Sequence, residues 1–380
     1  MKNLFLIFGL MLCVSLYCTD NRTVTGNDFP FRDVSEIVFT NTIYPTESKI
    51  LEYHKEVGYQ GRLLLGESKD YSSSIFLRFD VQGSYTKVKR AVVSLTPFSV
   101  VGEASSSFEG VVYRITSNWN QSETPDVTYN PVEIGTFTVE ADASELDSIE
   151  ILPSIVEEWN ADSTSNYGIM ISFRNADFIK RYYSFESFTS LPELKLTVEY
   201  EGEDEDKTEW KYTTMDTYLY TSSAVPKDGE IIIDDLSIYR SIIKFDSIGI
   251  PENATINKAV LEMYLKTEES QLIKNDIDLI YAMRINNNVW TPDELEFEEE
   301  EIFRNQQYSD FIDDEIVRIN ITGITQQWTA KIKENHGLLL KSANEALNAG
   351  KYVFPLDSLV QGKRFKLLID YSYINVGDHF

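Results

Sequence analysis

The stretch SIFLRFDV at residues 74–81 has a near-copy, SIIKFDSI, at residues 241–248. Each copy ends a short apolar alternation with a basic residue, a Phe and an Asp. In the first copy Ile75, Leu77 and Phe79 share one parity, and residues two apart lie on the same face of a β-strand. We therefore expect the Phe to point into a core and the flanking charges to lie on the opposite face.

Other segments repeat in the same order. At offsets of 168 to 171 residues, the matches are RLLLGE (62–67) with EIIIDD (230–235), VKRAVVSL (88–95) with INKAVLEM (256–263), SIVEEWNADSTSNYGIMI (154–171) with GITQQWTAKIKENHGLLL (323–340), and ELKLTVEY (193–200) with RFKLLIDY (364–371). Whole blocks are kept and only the connections change length, which loops tolerate and cores do not. The sequence therefore predicts one domain built twice.

Many short alternating segments separated by Gly, Pro, Asn and Ser predict an all-β fold, with two tandem antiparallel β-sandwich domains of jelly-roll-like type. The segment before each repeated Trp is the exception, because Ile155 and Trp159, like Ile324 and Trp328, stand four apart. That spacing predicts a short helical turn in each domain. The expected organisation is a signal peptide at 1–17, a tether at 18–35, domains at 36–200 and 211–374, an extended acidic linker at 201–210, and a tail at 375–380.

The first residues predict export. One Lys is followed by an apolar run and then by polar sequence, a signal-peptide pattern too short for a comfortable membrane span. Cys18 closes the run, and a single Cys at a mature N-terminus resembles the lipid-attachment residue of bacterial lipoproteins. Plain signal-peptidase cleavage is the alternative. The expected location is the cell envelope or outer surface, with the membrane reached only through a lipid anchor.

The repeated motifs resemble those of the DNRLRE-domain family. The first copy carries IFLRFD, RAVVSL, SIVEEW, NYGIMI and LPELKLTVEY, and the second carries SIIKFD, KAVLEM, GITQQW, NHGLLL and RFKLLIDY. The second copy departs where ELEFEEEEIF replaces a VTY-like stretch, and the string DNRLRE itself is absent. The resemblance implies non-catalytic, carbohydrate-binding-like β-sandwich modules of secreted microbial proteins. It supplies no ligand residues that map onto this chain.

Composition narrows the function classes. With 34 basic and 61 acidic residues the formal net charge is −27, which repels phosphate backbones, so nucleic acid is not expected as a partner. The three His residues share no motif, and neither nucleophile nor zinc-ligand patterns occur. The chain is therefore expected not to be an enzyme, although 61 acids leave open a polysaccharide-degrading carboxylate pair.

No cofactor is expected, and Ca²⁺ is the one cation considered. Its oxygen ligands could come from the acidic run Glu294, Glu296, Glu298, Glu299, Glu300 and Glu301. The run lacks the Gly-spaced Asp/Asn pattern of a calcium loop, so a charged insertion is the favoured interpretation and no metal site is assigned.

Sugar-binding sites combine aromatic platforms with a few polar side chains. The densest basic and aromatic cluster is KRYY at 180–183, and its counterpart is KYVF at 351–354. This pairing makes Lys180, Arg181, Tyr182, Lys351 and Tyr352 the candidate ligand contacts; the alternative is that they flank loops of an aromatic-rich sandwich. The repeated Trp residues are interpreted as core, and Trp210, which has no counterpart, is a secondary platform candidate.

The leading functional hypothesis is a non-catalytic cell-envelope protein whose two modules bind a polysaccharide or surface glycan, or mediate adhesion. Tandem copies suit weak ligands, because linked sites gain avidity without new contacts. A structural or protein-interaction surface module without a sugar site is the alternative, and a carboxylate-pair enzyme is the third possibility.

Overall fold

The computed structural model describes most of the chain from Val38 onward, namely residues 38–53, 58–102, 106–121, 126–187, 190–273, 280–298, 309–312, 315–357 and 363–373, with only the backbone described for 309–312. The expected signal peptide, the tether with Cys18 and the C-terminal tail lie outside the described residues. The described chain is all-β, with antiparallel strands that form sandwiches, as the sequence predicts. Neither of its two α-helices has the length and apolar character needed to cross a membrane.

The strands of the first half follow the predicted alternating segments. They are β1 (Val38–Ile43), β2 (Glu47–Glu52), β3 (Arg62–Ser68), β4 (Tyr71–Phe79), β5 (Lys87–Leu95), β6 (Pro97–Gly102), β7 (Phe108–Ile115), β8 (Tyr129–Val139), β9 (Asp147–Ile151), β10 (Ile169–Arg174), β11 (Phe178–Tyr183) and β12 (Glu193–Glu199). Helix α1 (Pro153–Ala161) lies between β9 and β10, and two single 3-10 turns occupy Ser163–Ser165 and Phe185–Ser187.

The second half repeats this order. Its elements are β13 (Lys207–Ser222), β14 (Glu230–Asp234), β15 (Tyr239–Lys244), β16 (Thr255–Tyr264), β17 (Ile280–Arg284), β18 (Ser309–Ile312), β19 (Ile316–Asn320), α2 (Thr322–Thr329), β20 (Leu338–Ser342), β21 (Lys351–Pro355) and β22 (Lys366–Ser372). All the described ladders are antiparallel, which fits a chain of short hairpins and meanders.

Each sandwich has two main sheets. In the first sandwich the β12 sheet runs β13–β12–β5–β9, and the β4 sheet runs β8–β7–β10–β4–β13, with β3, β11 and β6 extending it. In the second, the β22 sheet runs β1–β22–β16–β19–β18 and the β15 sheet runs β17–β20–β15–β2, while β14 and β21 form a separate pair. Position by position, β12 matches β22, β5 matches β16 and β4 matches β15, so the repeat in the sequence is a repeat in the fold.

The first strands of each repeat lie in the other sandwich. Strand β13, which opens the second repeat, pairs with β12 and β4 of the first. Conversely, β1 and β2, which open the first repeat, pair with β22 and β15 of the second. The sandwiches are therefore not bounded at 36–200 and 211–374 as the sequence suggested. The first ends with β13, and the second is completed by residues from the start of the chain.

The acidic segment explains this exchange. Residues 200–206 form the turn of a β12–β13 hairpin and do not act as an extended linker; Lys207 and Trp210 already lie in β13. Lys89 pairs with the carboxylates of Glu199 and Asp206, each at 2.6 Å, so this nearby cation offsets part of the acidic charge. A short connection between antiparallel strands favours pairing of the two neighbours, which commits β13 to the first sandwich.

The repeated Phe is a core residue in both sandwiches, as predicted. Phe79 and Phe245 are 1% and 0% exposed. The backbone carbonyl of each Phe accepts a hydrogen bond from a second repeated motif: Asn166 Nδ2 donates to the carbonyl of Phe79 at 2.7 Å, and Asn335 Nδ2 donates to that of Phe245 at 2.6 Å. The opening motif and the later N-x-G motif are therefore two halves of one contact.

The repeated Gly has a steric cause. Gly168 and Gly337 adopt φ of +86° and +105°, a backbone conformation that residues with a Cβ atom rarely adopt. A Cβ at Gly168 would lie 2.2 Å from the carbonyl oxygen of Leu77, and one at Gly337 would lie 2.6 Å from that of Ile243. The preceding helices bury Trp159 and Trp328, which confirms the predicted helical turns.

The two sandwiches share a joint. Leu236, Ile273 and Ala349 of the second half pack within the core cluster of the first. Polar contacts cross the same boundary: the Tyr71 hydroxyl donates to the Asp234 carboxylate, and the Tyr218 hydroxyl donates to the carbonyl of Ala346 at 2.8 Å. The cores are thus mostly separate, but the interiors meet at this joint, contrary to the expectation of two independently closed domains.

Candidate functional site

The five residues expected to contact a ligand are buried. Their exposed fractions lie between 0% and 7%, for Lys180, Arg181, Tyr182, Lys351 and Tyr352. For Lys180, Arg181 and Tyr182 the cause is the position of β11, which pairs with β3 on one edge and β6 on the other and is buried along nearly its whole length. Lys351 and Tyr352 lie in β21, which is buried over its first four residues. These side chains stabilise the interior and do not form a surface for a ligand, so this expectation is corrected.

In the first sandwich the polar side chains of the cluster bond to protein groups, and the Lys180 charge is paired with a carboxylate. Lys180 Nζ lies 2.7 Å from Asp147 Oδ2, and the Tyr182 hydroxyl donates to the same oxygen at 2.7 Å. Burial, followed by the Asp147 charge, raises the pKa of Tyr182 well above its ordinary value. On the other face of the strand, Arg181 Nε donates to Ser99 Oγ at 2.5 Å. Lys180, Arg181 and Tyr182 therefore each have a polar partner within the protein.

The second half of the cluster belongs to the joint between the sandwiches. The Lys351 ammonium contacts the carboxylate of Asp70, which lies in the turn between β3 and β4. Tyr352 lies in the core of the second sandwich. The paired location of KRYY and KYVF in the sequence therefore reflects a repeated structural position.

A different aromatic pair is exposed. Trp210 and Tyr212 lie two residues apart in β13, on one face of the β12 sheet, and are 48% and 53% exposed. Trp210 stands opposite Lys195 and Tyr212 opposite Glu193 in β12. Lys195 Nζ lies 5.1 Å from the centre of the Trp210 ring, within cation–π range. The spacing of strand residues places the two aromatic positions about 7 Å apart along the strand.

Polar side chains continue this face across the sheet. The row that starts at Trp210 passes through Lys195 and Val92 to Glu150, and the row that starts at Tyr212 passes through Glu193 and Ser94 to Ser148. Four strands at about 4.8 Å spacing make the face about 14 Å wide. We call this set of eight residues the aromatic face.

The aromatic face suits a flat, partly apolar ligand with hydroxyl groups. Exposed rings offer apolar surface and a polarised π face, and the neighbouring amine, carboxylates and hydroxyls supply donors and acceptors. In the first half of β13 the strand pairs only with β12, so the aromatic pair lies at the edge of the described sheet, where a long ligand can extend past it.

The matching face of the second sandwich is charged instead of aromatic. A groove of about 340 Å³ is lined by Thr40, Lys258, Val260, Glu262, Arg318, Leu368 and Asp370. Glu262 is buried and accepts hydrogen bonds from Arg318 Nε at 2.7 Å and the Tyr264 hydroxyl at 2.7 Å. Burial by itself raises the pKa of Glu262, but hydrogen bonds from Lys366, Tyr264 and Arg318 outweigh it, so this pKa lies below its ordinary value. The Glu262 carboxylate therefore stays ionised, and its oxygens are already bonded to protein groups.

A second cleft, of about 490 Å³, lies between β7, β8 and β10. It is lined by Ser107, Phe108, Glu109, Thr136, Phe137, Thr138, Arg174 and Asn175. Arg174 is committed to Glu109 at 3.0 Å and to Glu133, and these hydrogen bonds raise its pKa above the ordinary value. This cleft therefore presents a neutralised cation and little aromatic surface.

Among the described residues, the carboxyl groups of Asp216 and Asp234 have a raised pKa, and both face protein. Burial, followed by the Glu186 charge as the next raising influence, keeps the pKa of Asp216 well above its ordinary value, while its Oδ2 accepts the amide of Phe185 at 2.7 Å. Burial also raises the pKa of Asp234 to about 6. Both side chains are fully buried, so neither faces an open cleft where a glycosidic bond could reach it.

The acidic run lies partly outside the described residues. Glu294, Glu296 and Glu298 are described, and Glu298 contacts Arg284 and Lys333. Among the residues that the structure covers, no group of three or more His, Cys, Asp or Glu side chains is arranged to hold a metal ion.

A scan of protein-family models and a search of curated proteins gave no match to this chain. The resemblance to the DNRLRE-domain family therefore rests on the motifs alone and stays a prediction.

Sequence reasoning placed Trp210 in a linker and did not select Tyr212. The signal that could have found both is the period of two from Thr208 to Thr214, which puts Trp210 and Tyr212 on one face of a strand. That signal was obscured because the acidic residues before it resembled a linker.

Proposed function

We propose that this protein is a non-catalytic cell-envelope protein that binds a polysaccharide or surface glycan through the aromatic face. The observation that carries the proposal is the exposure of Trp210 and Tyr212 side by side on a regular sheet. Single exposed apolar residues are normal, whereas exposed apolar side chains that lie together mark interaction sites, and Trp and Tyr dominate binding energy where they occur in interfaces.

The net charge of the chain favours neutral glycans over acidic ones as ligands. A net charge of −27 disfavours polyanions at long range, so we expect neutral glycans to bind better than sulfated or uronate-rich ones. Lys195 beside Trp210 provides one local cation, which allows a single acidic group but not a highly charged chain.

Under this proposal the two sandwiches have different roles. The aromatic pair belongs to the first sandwich, and the matching face of the second carries Thr40 and Asp370 in a charged groove. The first sandwich is therefore the sugar-binding module, and the avidity expected of two equal sites does not apply.

The test is a panel of neutral and acidic glycans, with calcium and with chelator. Wild type should bind at least one neutral glycan, and Trp210→Ala with Tyr212→Ala should weaken binding about 30-fold or more, since truncation of an aromatic anchor costs about 2 kcal/mol. Tyr59→Ala, at an exposed Tyr elsewhere in the first half, is the matched control and should bind as wild type does. Equal binding by the double variant, or silence of the wild type across the panel, would remove the proposal.

A structural or protein-interaction module is the second candidate, and the joint favours it. Two buried hydrogen bonds, made by Tyr71 and Tyr218, and the partly buried contact of Lys351 with Asp70 hold the two sandwiches together, which suits a stiff spacer. This candidate predicts protein partners in crosslinking and no glycan binding. The third candidate, an enzyme, predicts release of reducing ends from a polysaccharide.

We further propose export and lipid attachment at Cys18. The test is labelled palmitate: it should follow the wild-type protein in cells and be lost from Cys18→Ser. Equal label on both forms, or none on either, would remove the anchor from the proposal without bearing on glycan binding.

A further inference from the structure

Each sandwich is completed by a strand that comes from the other repeat, but the two completing segments are held differently. Strand β13 is covalently joined to its neighbour β12 by the short turn at 200–206. Strands β1 and β2 instead come from the start of the chain and complete a sandwich whose other strands lie beyond residue 229.

The completing segments also differ in burial. Within β13, Thr213, Asp216, Thr217 and Tyr218 are buried. Over the matching strands β1 and β2, Leu51 is the single buried residue. Because side-chain burial supplies most of the hold on a strand, residues 38–52 are the less firmly seated of the two.

The second sandwich, which is the acceptor of residues 38–52, holds them through backbone pairing and through side-chain contacts such as the stacking of Phe39 on Tyr371. Six residues of β1 pair with β22 and six of β2 pair with β15. A few polar contacts fix the register: Thr40 Oγ1 donates to Asp370 Oδ1 at 2.8 Å, Asn41 Nδ2 donates to the carbonyl of Ile248 at 3.1 Å, and Lys49 Nζ donates to the carbonyl of Trp290 at 2.6 Å. An identical segment of another chain offers the same backbone and the same side chains.

We propose that residues 38–52 are an exchangeable donor segment, and that the acceptor between β22 and β15 takes the same segment from a second copy of this chain. Strand addition to an open sheet edge is a general mode of protein recognition, and exchange of an identical element is a low-cost route to dimers. The exchange links the second sandwich of one chain to the N-terminal segment of another. It leaves the first sandwich and the aromatic face intact, so it does not depend on the proposed sugar site.

The test uses single-cysteine chains that can join only between copies. One chain carries Thr40→Cys and the other Asp370→Cys, and both carry Cys13→Ser and Cys18→Ser. Directly opposed strand residues are close enough for a disulfide, and the Thr40–Asp370 hydrogen bond places these two side chains on one face. The full-length chains are mixed at equal amounts, co-refolded from urea at rising concentration, oxidised and separated on a non-reducing gel.

The matched control places the cysteines across the hairpin that cannot exchange. Thr197 and Thr208 stand opposite each other in β12 and β13, and the turn at 200–206 holds them in one chain. A Thr197→Cys chain mixed with a Thr208→Cys chain should give only background dimer.

The expected result is a linked dimer from the Thr40→Cys and Asp370→Cys mixture, well above that of the control mixture. While monomer dominates, tenfold more protein should raise the ratio of linked dimer to monomer about tenfold, as mass action requires. A chain with both substitutions verifies folding, because it should close an internal disulfide. If that chain closes internally and the mixture gives no more dimer than the control at any concentration, residues 38–52 do not exchange between copies and the proposal is overturned.

Discussion

The buried carboxyl of Asp234 should make this protein lose stability as the pH rises from about 4 to about 6. Burial raises the pKa of Asp234 from its ordinary value of 3.8 to about 6, against the opposing effect of the hydrogen bond from Tyr71. Because the folded state holds the proton more tightly than the unfolded state, protonation favours folding. At about 1.4 kcal/mol per pH unit, the difference corresponds to about 3 kcal/mol.

The direction of the pKa shift fixes the pH range over which stability is lost. Below 3.8 the group is protonated in both states and imposes no penalty. Between 3.8 and about 6 the unfolded state ionises while the folded state does not, so the stability contribution is lost progressively as pH rises. Above pH 6 the whole penalty of about 3 kcal/mol is present.

The perturbation is Asp234→Asn. The amide oxygen can still accept from the backbone amides of Leu236 and Ser237, which now bond to Oδ1 at 2.9 and 2.8 Å, but the side chain can no longer ionise. The free energy of unfolding of the variant, relative to wild type, should therefore rise by about 2.5 kcal/mol between pH 4 and pH 7. Tyr71→Phe should shift the wild-type transition to higher pH, because it removes a hydrogen bond that favours the carboxylate.

The assay is urea unfolding followed by Trp fluorescence across this pH range, with the carboxyl titrated directly by carbon NMR. Asp228→Asn, an exposed position in the second half, controls for the loss of one negative charge. If the difference between Asp234→Asn and wild type is the same at pH 4 and pH 7, the raised pKa is refuted and the joint does not impose this penalty.

Three further predictions concern the repeated motifs and the buried cluster. Gly168→Ala should lower the free energy of unfolding by about 2 to 3 kcal/mol, because its Cβ would press on the backbone of Leu77 at a positive φ; Gly202→Ala, also at positive φ but in open space, should cost about 1 kcal/mol, and equal losses in urea unfolding would contradict the steric reading. Asn166→Ala should cost about 2 to 3 kcal/mol by leaving the carbonyl of Phe79 and the amide of Gly168 unbonded, whereas Asn160→Ala, near the end of α1 and only partly buried, should cost less. Lys180→Met should lower the free energy of unfolding by about 3 kcal/mol, because it leaves Asp147 buried without its cation, and it should leave glycan binding unchanged. Weaker glycan binding without a loss of stability would show that Lys180 contacts the ligand after all.

Much of the candidate site lay beyond sequence reasoning. The cluster KRYY has the residue types of a sugar site, but β11 lies between β3 and β6 with both faces covered. Whether a basic and aromatic strand is at the surface depends on which elements pack over it, and a linear sequence does not carry that information. Trp210 was visible as a residue without a counterpart, but its exposed partner became evident only once β13 was seen as a strand.

The sequence by itself determined the all-β fold, its twofold repetition and the core role of Phe79 and Phe245. These depend on alternation over a few residues and on repeated blocks, both of which are local properties of the chain. Tertiary structure alone decided which strands complete which sandwich. Backbone hydrogen bonds in a sheet are nearly independent of side-chain identity. The alternation of apolar and polar residues in β13 and β1 would therefore allow each strand to pair with the sheet of either sandwich. The short turn at 200–206 holds β13 on β12, and the vacant edge of β22 is then filled by β1 from the start of the chain.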